Sequence, residues 1–300
     1  MSSPSRAALQ EIAFQEIAPA KVNLTLRVLG RRRDGYHKIE SLVAFAKIHD
    51  RLAFIPGRAL KLEMRGPAAR AMGGLAENLV LKTARLLAAE VDGLRLGRFT
   101  LTKNLPIAAG LGGGSADAAA ALRLLARANR LRRNDPRILK VARRIGADVT
   151  VCLDPRARVM RGIGEILSRA VRIRRLPVVL INAGPALTTK DVFARYDRQR
   201  LGRPSKPQAR KAALPRKWTA LVTRLAADCN DLEPAAISLA PSIATTLAAL
   251  RNAPGCRLAR MSGSGASCFG LFASSRAAAA AARKIKAAHP RWWVRASVLS

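Results

Sequence analysis

Apolar and polar residues alternate strictly over residues 21–28. Val22, Leu24, Leu26 and Val28 fall on one side of this pattern, and Lys21, Asn23, Thr25 and Arg27 fall on the other. A period of two is typical of a strand, because successive side chains point to opposite faces of a sheet. The pattern therefore predicts a half-buried strand whose polar face carries Lys21 and Asn23 side by side.

Segments with strand and helix patterns alternate along the rest of the chain. The patterns predict extended segments at 39–45, 51–55, 99–105, 177–182 and 292–299, and helices at 77–90, 136–145, 237–250 and 277–289. Asn78 suits the N-cap of the first helix, and Pro136 suits the first turn of the second. Residues 149–153 are apolar but too few to assign to either type. The alternation predicts an α/β and α+β architecture.

The length of 300 residues exceeds one minimal domain and suits two lobes with separate cores. A basic, irregular stretch at 169–175 precedes the predicted strand at 177–182. We therefore place the boundary there, with an N-terminal lobe at 1–170 and a C-terminal lobe at 171–300. Residues 198–217 contain three prolines and many basic residues, which predicts a surface insertion.

A glycine-rich segment, PIAAGLGGGSADAAAALRLLARANRL, begins at Pro106. Its glycines lie between a predicted strand and a predicted helix, with Ser115 at the helix start. The backbone N–H groups of such a loop can approach phosphate oxygens, and the helix N-terminus adds partial positive charge. The segment has neither the Lys-Ser or Lys-Thr of a Walker A loop nor the spacing of a dinucleotide fingerprint. It predicts a triphosphate site of another type, unless the glycines only permit a tight turn.

The charge of the chain is unusual, with 54 Lys and Arg against 19 Asp and Glu and a net charge of +35. Such an excess attracts phosphate metabolites, nucleic acids and acidic membranes alike. Only 4% of the residues are aromatic, and the arginines are scattered, unlike the clustered basic and stacking residues of nucleic-acid readers. We therefore expect a solvated arginine-rich surface and no specific nucleic-acid partner.

The cysteines and histidines argue against several kinds of site. The four cysteines show no CxxC spacing, and the three histidines are not spaced as metal ligands on one helix face. Residues 1–13 lack the apolar core of a signal peptide, and no uncharged run approaches the length of a membrane span. We expect reduced cysteines, no histidine-built metal site, no membrane partner and a cytoplasmic location.

Three segments resemble, in order, the signatures of the GHMP kinase superfamily, which is named for galactokinase, homoserine, mevalonate and phosphomevalonate kinases. They are APAKVNL at 18–24, PxxxGLGGGSxD at 106–117 and SGSGASCFGLF at 262–272. The resemblance spans nearly the whole chain. It implies a two-lobed kinase fold, with an N-terminal lobe like domain 2 of ribosomal protein S5 and a ferredoxin-like C-terminal lobe.

Further motifs narrow the resemblance to one branch of the superfamily. DGYH at 34–37, GADVTVCL at 146–153 and the third consecutive glycine of the loop are similar to the branch that acts on a cytidine diphosphate ester of methylerythritol. Homoserine and mevalonate kinases usually carry Gly-Leu-Gly-Ser-Ser instead. The resemblance implies ATP-dependent phosphorylation of the substrate's 2-hydroxyl, in the non-mevalonate route to isoprenoid precursors.

The resemblance also implies roles for individual residues. Lys21 and Asp148 match the catalytic pair, in which a carboxylate orients or deprotonates the acceptor hydroxyl and an ammonium keeps that carboxylate ionised. The residues implied to bind ATP are Asn78, Pro106, Ile107, Ala108, Ala109, Gly110, Leu111, Gly112, Gly113, Gly114, Ser115 and Ala116. The residues implied to bind the cytidine substrate are Asn23, Tyr36, His37, Thr189, Phe193, Gly263 and Gly265, with Phe193 stacked on the base.

Mg²⁺ is expected because it shields the triphosphate charge during transfer, but no pair of carboxylates in the sequence marks its ligands.

Two alternative functions stay open. One is another GHMP kinase, acting on homoserine or a mevalonate derivative. The other, motivated by the charge of +35, is a non-catalytic nucleic-acid-binding protein on the same fold. The sequence does not indicate an oligomeric state.

Overall fold

The computed structural model describes residues 13–69, 78–184, 186–199 and 214–300. Most of the predicted insertion at 198–217 lies outside these residues, as do residues 1–12. The strands are β1 (Phe14–Asn23), β2 (Arg27–Arg31), β3 (His37–Pro56), β4 (Lys61–Arg65), β5 (Gly97–Thr102), β6 (Arg158–Gly162), β7 (Ile166–Leu167), β8 (Leu176–Asn182), β9 (Cys256–Met261), β10 (Cys268–Phe272) and β11 (Trp293–Leu299). The helices are α1 (Leu79–Ala88), α2 (Gly113–Ala128), α3 (Pro136–Ile145), α4 (Ala147–Cys152), α5 (Thr189–Arg198), α6 (Trp218–Ala226), α7 (Glu233–Leu239), α8 (Ser242–Arg251) and α9 (Ser275–Ala288).

Strand β3 connects the two parts of a mixed sheet, whose main path runs β4-β5-β3-β11-β8-β10-β9. The sequence predicted two separate segments at 39–45 and 51–55, but β3 is continuous because residues 49 and 50, between those segments, also pair with β1. Its pairing with β11, where Ala46 faces Leu299, joins the strands from both ends of the chain. The predicted combination of α/β and α+β structure is confirmed.

The predicted half-buried strand at 21–28 is wrong in its end and in its exposure. Strand β1 ends at Asn23, and Leu26 instead forms an isolated bridge with Asn230. Both faces are buried, with Lys21 and Asn23 each only 3% exposed. The polar face is covered because the Lys21 backbone N–H donates to the carbonyl of Leu111 at 2.8 Å, which docks the glycine loop against the strand.

Several predicted helices are confirmed, and one is divided. Asn78 caps α1 by accepting a hydrogen bond from the backbone N–H of Val80 at 2.9 Å, and α3 ends before Gly146 as expected. The predicted helix at 237–250 consists of α7 and α8, separated at Pro241, whose missing N–H cannot continue a helical ladder. The unassigned residues at 149–153 fall largely in α4.

The buried side chains form three clusters. One lies among α1–α4 and strands β1, β3 and β5, a second lies among α5, α7–α9 and strands β8–β11, and a third includes side chains of α6 and of strands β1, β3, β8 and β10. The lobe boundary at residue 170 stays a prediction. Within the described ranges, no helix is both long and apolar enough to cross a bilayer.

Candidate active site

A cavity of about 500 Å³ lies where the glycine loop, the N-terminus of α1, the N-terminus of α5 and the loop between β9 and β10 meet. The lining residues are Lys21, Asn78, Leu79, Lys103, Pro106–Gly110, Gly112–Ser115, Asp117, Asp148, Ala186–Thr189 and Gly263–Gly265. All four of these elements are loops or helix starts. Such elements expose backbone N–H groups, so the cavity suits an anionic ligand.

The glycine loop ends in the first turn of α2. Gly112 is in the left-handed region, with φ of +63°, and its carbonyl accepts the first intrahelical bond from Ala116 N–H at 2.8 Å. The N–H groups of the residues between them have no acceptor within the helix. Because Gly113, Gly114 and Ser115 line the cavity, these donors and the positive end of the helix are available to a phosphate group.

The two glycine segments are docked against each other at Gly110. A Cβ atom at this position would lie 2.3 Å from the carbonyl oxygen of Ser262, and φ is +72°, so only glycine fits. The Ser262 hydroxyl donates to the Gly110 carbonyl at 2.9 Å, and Ser267 N–H donates to the Ala109 carbonyl at 3.0 Å. The C-terminal part of the chain thus fixes the shape of the phosphate loop.

Lys21 and Asp148 meet at the cavity although 127 positions separate them in sequence. The Lys21 Nζ lies 2.8 Å from Asp148 Oδ2. Lys21 is nearly buried in β1, with 4% of its side chain exposed, whereas Asp148 in the first turn of α4 is 39% exposed. The Asp148 carboxylate is thus accessible from the cavity, and the buried ammonium of Lys21 lies beside it as its counter-ion.

Asn23 orients Lys21 through a buried polar network. Its Oδ1 accepts a hydrogen bond from Lys21 Nζ at 3.0 Å, and its Nδ2 donates to Ser41 Oγ at 2.7 Å. Its backbone N–H donates to Ser262 Oγ at 3.1 Å. Both ends of its side-chain amide are thus engaged inside the protein, and the ammonium of Lys21 is fixed on the cavity side of β1.

A second buried lysine, Lys103, lies on the other side of the glycine loop. Its Nζ lies 2.5 Å from Asp50 Oδ2 and 2.6 Å from Asp117 Oδ2, and all three side chains are at most 4% exposed. Burial lowers the pKa of Lys103, but the two carboxylates outweigh this effect and raise it. Burial raises the pKa of Asp117 to about 7, against the lowering effect of Lys103. The surroundings therefore favour the charged form of Lys103 and disfavour the charged form of Asp117.

The residues expected to recognise the base form a separate group. The rings of His37 and Phe193 stack with centroids 4.5 Å apart and planes at 18°. His37 Nε2 lies 2.7 Å from Asp197 Oδ1, and Tyr36 beside it is 61% exposed. The structure thus brings His37 and Phe193 together although 156 positions separate them, and it leaves Tyr36 at the surface.

Most of the remaining expected residues line the cavity, including Asn78, Thr189, Gly263 and Gly265. Thr189 Oγ1 lies 3.1 Å from Ser264 Oγ, which links the start of α5 to the C-terminal glycine segment. Leu111 in the glycine loop and Ala116 in α2 were also expected at the ATP site, but each is 1% exposed and packs into the core.

Two features of the site were not predicted from the sequence: the cluster of Asp50, Lys103 and Asp117, and the contribution of 186–188 to the cavity. A usable signal was present: Lys103 lies in the predicted strand at 99–105, three residues before Pro106, and Asp117 interrupts a run of alanines. Across the described ranges, no three His, Cys, Asp or Glu side chains converge as a metal site would require.

The chain is similar to known proteins over nearly its whole length. Residues 78–154 match the N-terminal domain of GHMP kinases, and residues 211–291 match the C-terminal domain of GHMP kinases. The chain is 54% identical over 295 residues to the 4-diphosphocytidyl-2-C-methyl-D-erythritol kinase of Rhodopseudomonas palustris, covering 96% of this chain and 95% of that protein. It is 55% identical over 284 residues to the enzyme of the same name from Methylobacterium radiotolerans, covering 92% and 96%.

Solved structures give the same picture of the fold. A crystal structure of 4-(cytidine 5′-diphospho)-2C-methyl-D-erythritol kinase matches with a TM-score of 0.74 and 33% identity, covering 96% of this chain and 99% of that chain. A mevalonate kinase from L. major, in complex with R-mevalonate, matches with a TM-score of 0.70 but only 18% identity, covering 100% and 99%. The mevalonate kinase shares the fold, whereas the first structure also shares a third of the sequence.

Proposed function

The chain belongs to the GHMP kinase family, and on that premise we propose that it transfers the γ-phosphate of ATP to the 2-hydroxyl of 4-diphosphocytidyl-2-C-methyl-D-erythritol. It is a kinase, and this substrate is the one named by relatives that match over 92–96% of the chain. The reaction belongs to the methylerythritol phosphate route to isoprenoid precursors. One observation carries the chemistry: the Lys21–Asp148 pair and the glycine loop line the same cavity.

Asp148 acts on the acceptor hydroxyl in this proposal. One carboxylate oxygen, Oδ2, is bonded to Lys21, and the side chain is 39% exposed at the cavity, so the carboxylate can accept a hydrogen bond from an alcohol. Lys21, 2.8 Å from Asp148, offsets negative charge that develops during transfer. Phosphoryl transfer depends mainly on alignment and electrostatics, which this pair supplies without a covalent intermediate.

The triphosphate of ATP binds at the glycine loop and the N-terminus of α2. The free N–H groups of the first helical turn point to the end of the cavity that holds Gly112–Ser115, and Lys21 lies beside Gly112. Asn78 and Leu79 at the start of α1 line the cavity at its nucleotide side. In this proposal the γ-phosphate lies between the helix N-terminus and the carboxylate of Asp148.

The residues at the loop fit a magnesium ion that arrives with the nucleotide. Mg²⁺ commonly takes one or two protein ligands and completes its shell with phosphate oxygens and water. The hydroxyl of Ser115 at the cavity would supply one such ligand. The bound ion would shield the charge of the triphosphate.

The cytidine base binds beside Phe193. A centroid separation of 4.5 Å leaves no room for a base between the rings of His37 and Phe193, so the base contacts an outer face of this pair. Asp197 holds His37 Nε2 and fixes the orientation of the ring. Thr189 in the first turn of α5 connects this region to the cavity.

The direct test is an assay with ATP, Mg²⁺ and the cytidine substrate. We expect stoichiometric ADP, with the new phosphate at the 2-hydroxyl in phosphorus NMR. Homoserine and mevalonate, tested at equal concentration, should give no product. Preferential turnover of either of these alcohols would overturn the substrate assignment and leave the membership of the family intact.

A further inference from the structure

Both ends of the glycine loop are attached to the same buried cluster. At the entry to the loop, Asp50 Oδ1 accepts hydrogen bonds from the backbone N–H of Asn104 at 2.5 Å and of Leu105 at 2.9 Å. These two residues immediately precede Pro106. Asp50 is fully buried in β3, so it attaches the start of the loop to the central strand of the sheet.

At the exit from the loop, Lys103 reaches helix α2. Its Nζ binds Asp50 and also Asp117, which lies in the second turn of α2. A Cβ atom on Gly113 would lie 3.1 Å from the same Nζ, so the ammonium sits directly under the first turn of the helix. A single ammonium thus spans the distance between the two ends of the loop.

The charges of the cluster argue against a direct role for Lys103 as a phosphate-binding cation. Two carboxylates lie within 2.6 Å of one ammonium, so no net positive charge is left for an anion. Asp117 Oδ1 has no hydrogen-bond partner among the described residues. The cluster is therefore costly to bury, and an electrostatic benefit to the nucleotide does not account for it.

We propose that Asp50, Lys103 and Asp117 are positioning residues that clamp the two ends of the glycine loop and set its opening for the nucleotide triphosphate. The clamp deepens the proposed kinase function and rests on it. It acts on ATP through the loop backbone and does not contact the acceptor alcohol. Its loss should therefore change the use of ATP and leave the use of the cytidine substrate alone.

The test uses the double variant Lys103→Met/Asp117→Asn, which removes the attachment to α2 without leaving an unpaired charge on Asp117. We expect the KM for ATP to rise about tenfold, because displacement of a binding loop by a fraction of an ångström weakens every contact to the triphosphate. The KM for the cytidine substrate should stay within about twofold. Asp117→Asn alone keeps an acceptor for Lys103 and serves if the double variant does not fold, with an expected rise of about threefold in the KM for ATP.

The matched control is Arg123→Met/Glu16→Gln. This pair, with N and O atoms 2.9 Å apart, also attaches α2 to the sheet but lies away from the loop. It should lower the thermal midpoint without changing either KM. The clamp is refuted if the Lys103 variants lower only the midpoint, as the control does, or raise both KM values equally. A wild-type enzyme that turns over none of the proposed substrate would instead refute the proposed function.

Discussion

Two buried lysines flank the glycine loop, and they differ in the carboxylates that they bind. Lys21 binds one carboxylate, Asp148, which is 39% exposed at the cavity. Lys103 binds two carboxylates, Asp50 and Asp117, which are at most 4% exposed. Lys103 and Asp117 also line the cavity wall, but a carboxylate that is 4% exposed presents too little surface to meet a substrate hydroxyl, whereas one that is 39% exposed can do so. The comparison separates a pair suited to chemistry from a cluster suited to positioning.

Lys21→Met tests the pair whose carboxylate is exposed at the cavity, and it should have the largest effect on activity. Removing the ammonium leaves Asp148 without charge support during transfer, so kcat should fall about a thousandfold. Stability should fall by only about 1–2 kcal/mol, because cavity water can solvate the exposed carboxylate of Asp148, whereas the buried Asn23 Oδ1 loses its donor. Steady-state kinetics and a thermal melt measure the two quantities. A variant with near-normal kcat would mean that Lys21 is structural.

Lys103→Met tests the buried cluster. We expect its main effect on stability, whereas the main effect of Lys21→Met is on kcat. It leaves two buried carboxylates without a counter-charge, which costs at least about 3 kcal/mol of unfolding free energy. Urea unfolding of Lys103→Met beside Lys21→Met gives the comparison. If Lys103→Met were as stable as the wild type, the cluster would be open to water and the distinction between the two lysines would fail.

Ser262→Ala probes the connection between the loop and the C-terminal glycine segment. The hydroxyl accepts from Asn23 N–H and donates to the Gly110 carbonyl, so its removal leaves one buried donor and one partly buried acceptor unsatisfied and costs about 2 kcal/mol. Ser264→Ala, in the same segment but partly exposed, is the control and should cost less. Equal losses in urea unfolding would contradict the role given to Ser262.

Asp135→Asn provides a surface reference for the buried carboxylates. Its hydrogen bond from the Arg137 side chain, with a further one from the Arg137 backbone, lowers the pKa of Asp135 to about 2. A lowered pKa stabilises the fold above the ordinary value near 3.8, and this contribution is lost as the pH falls toward 2. Solvent screening keeps it below about 1 kcal/mol. Unfolding between pH 5 and 2 should therefore show a slightly smaller loss of stability in Asp135→Asn than in the wild type.

Local patterns predicted the parts of the fold that depend on nearby residues. The cap at Asn78, the proline start and glycine end of α3, and the strand–loop–helix around the glycines all appear in the structure. The unbroken length of β3 and the burial of both faces of β1 depend on strands and loops far away in sequence. Alternation alone indicates a strand but not what covers it.

In the candidate site, too, contacts between residues far apart in sequence could not be predicted from local patterns. Only the family resemblance indicated that Lys21 and Asp148, 127 positions apart, would meet. Lys103 lies outside the matching motifs, and Asp117 ends one of them without an implied role. An isolated lysine in a strand and an isolated aspartate in a helix usually face solvent. The contacts among Asp50, Lys103 and Asp117 become visible only when β3, β5 and α2 are packed together.

The most direct test of the distinction between the two sides of the loop compares Asp148→Asn with Asp117→Asn in the same kinetic experiment. With both substrates varied, Asp148→Asn should lower kcat roughly a hundredfold or more and leave the KM for ATP within about twofold. Asp117→Asn should raise the KM for ATP about threefold and leave kcat nearly unchanged. The same kinetic pattern in both variants, or a loss of kcat only in Asp117→Asn, would contradict the assignment of chemistry to the open carboxylate and positioning to the sealed one.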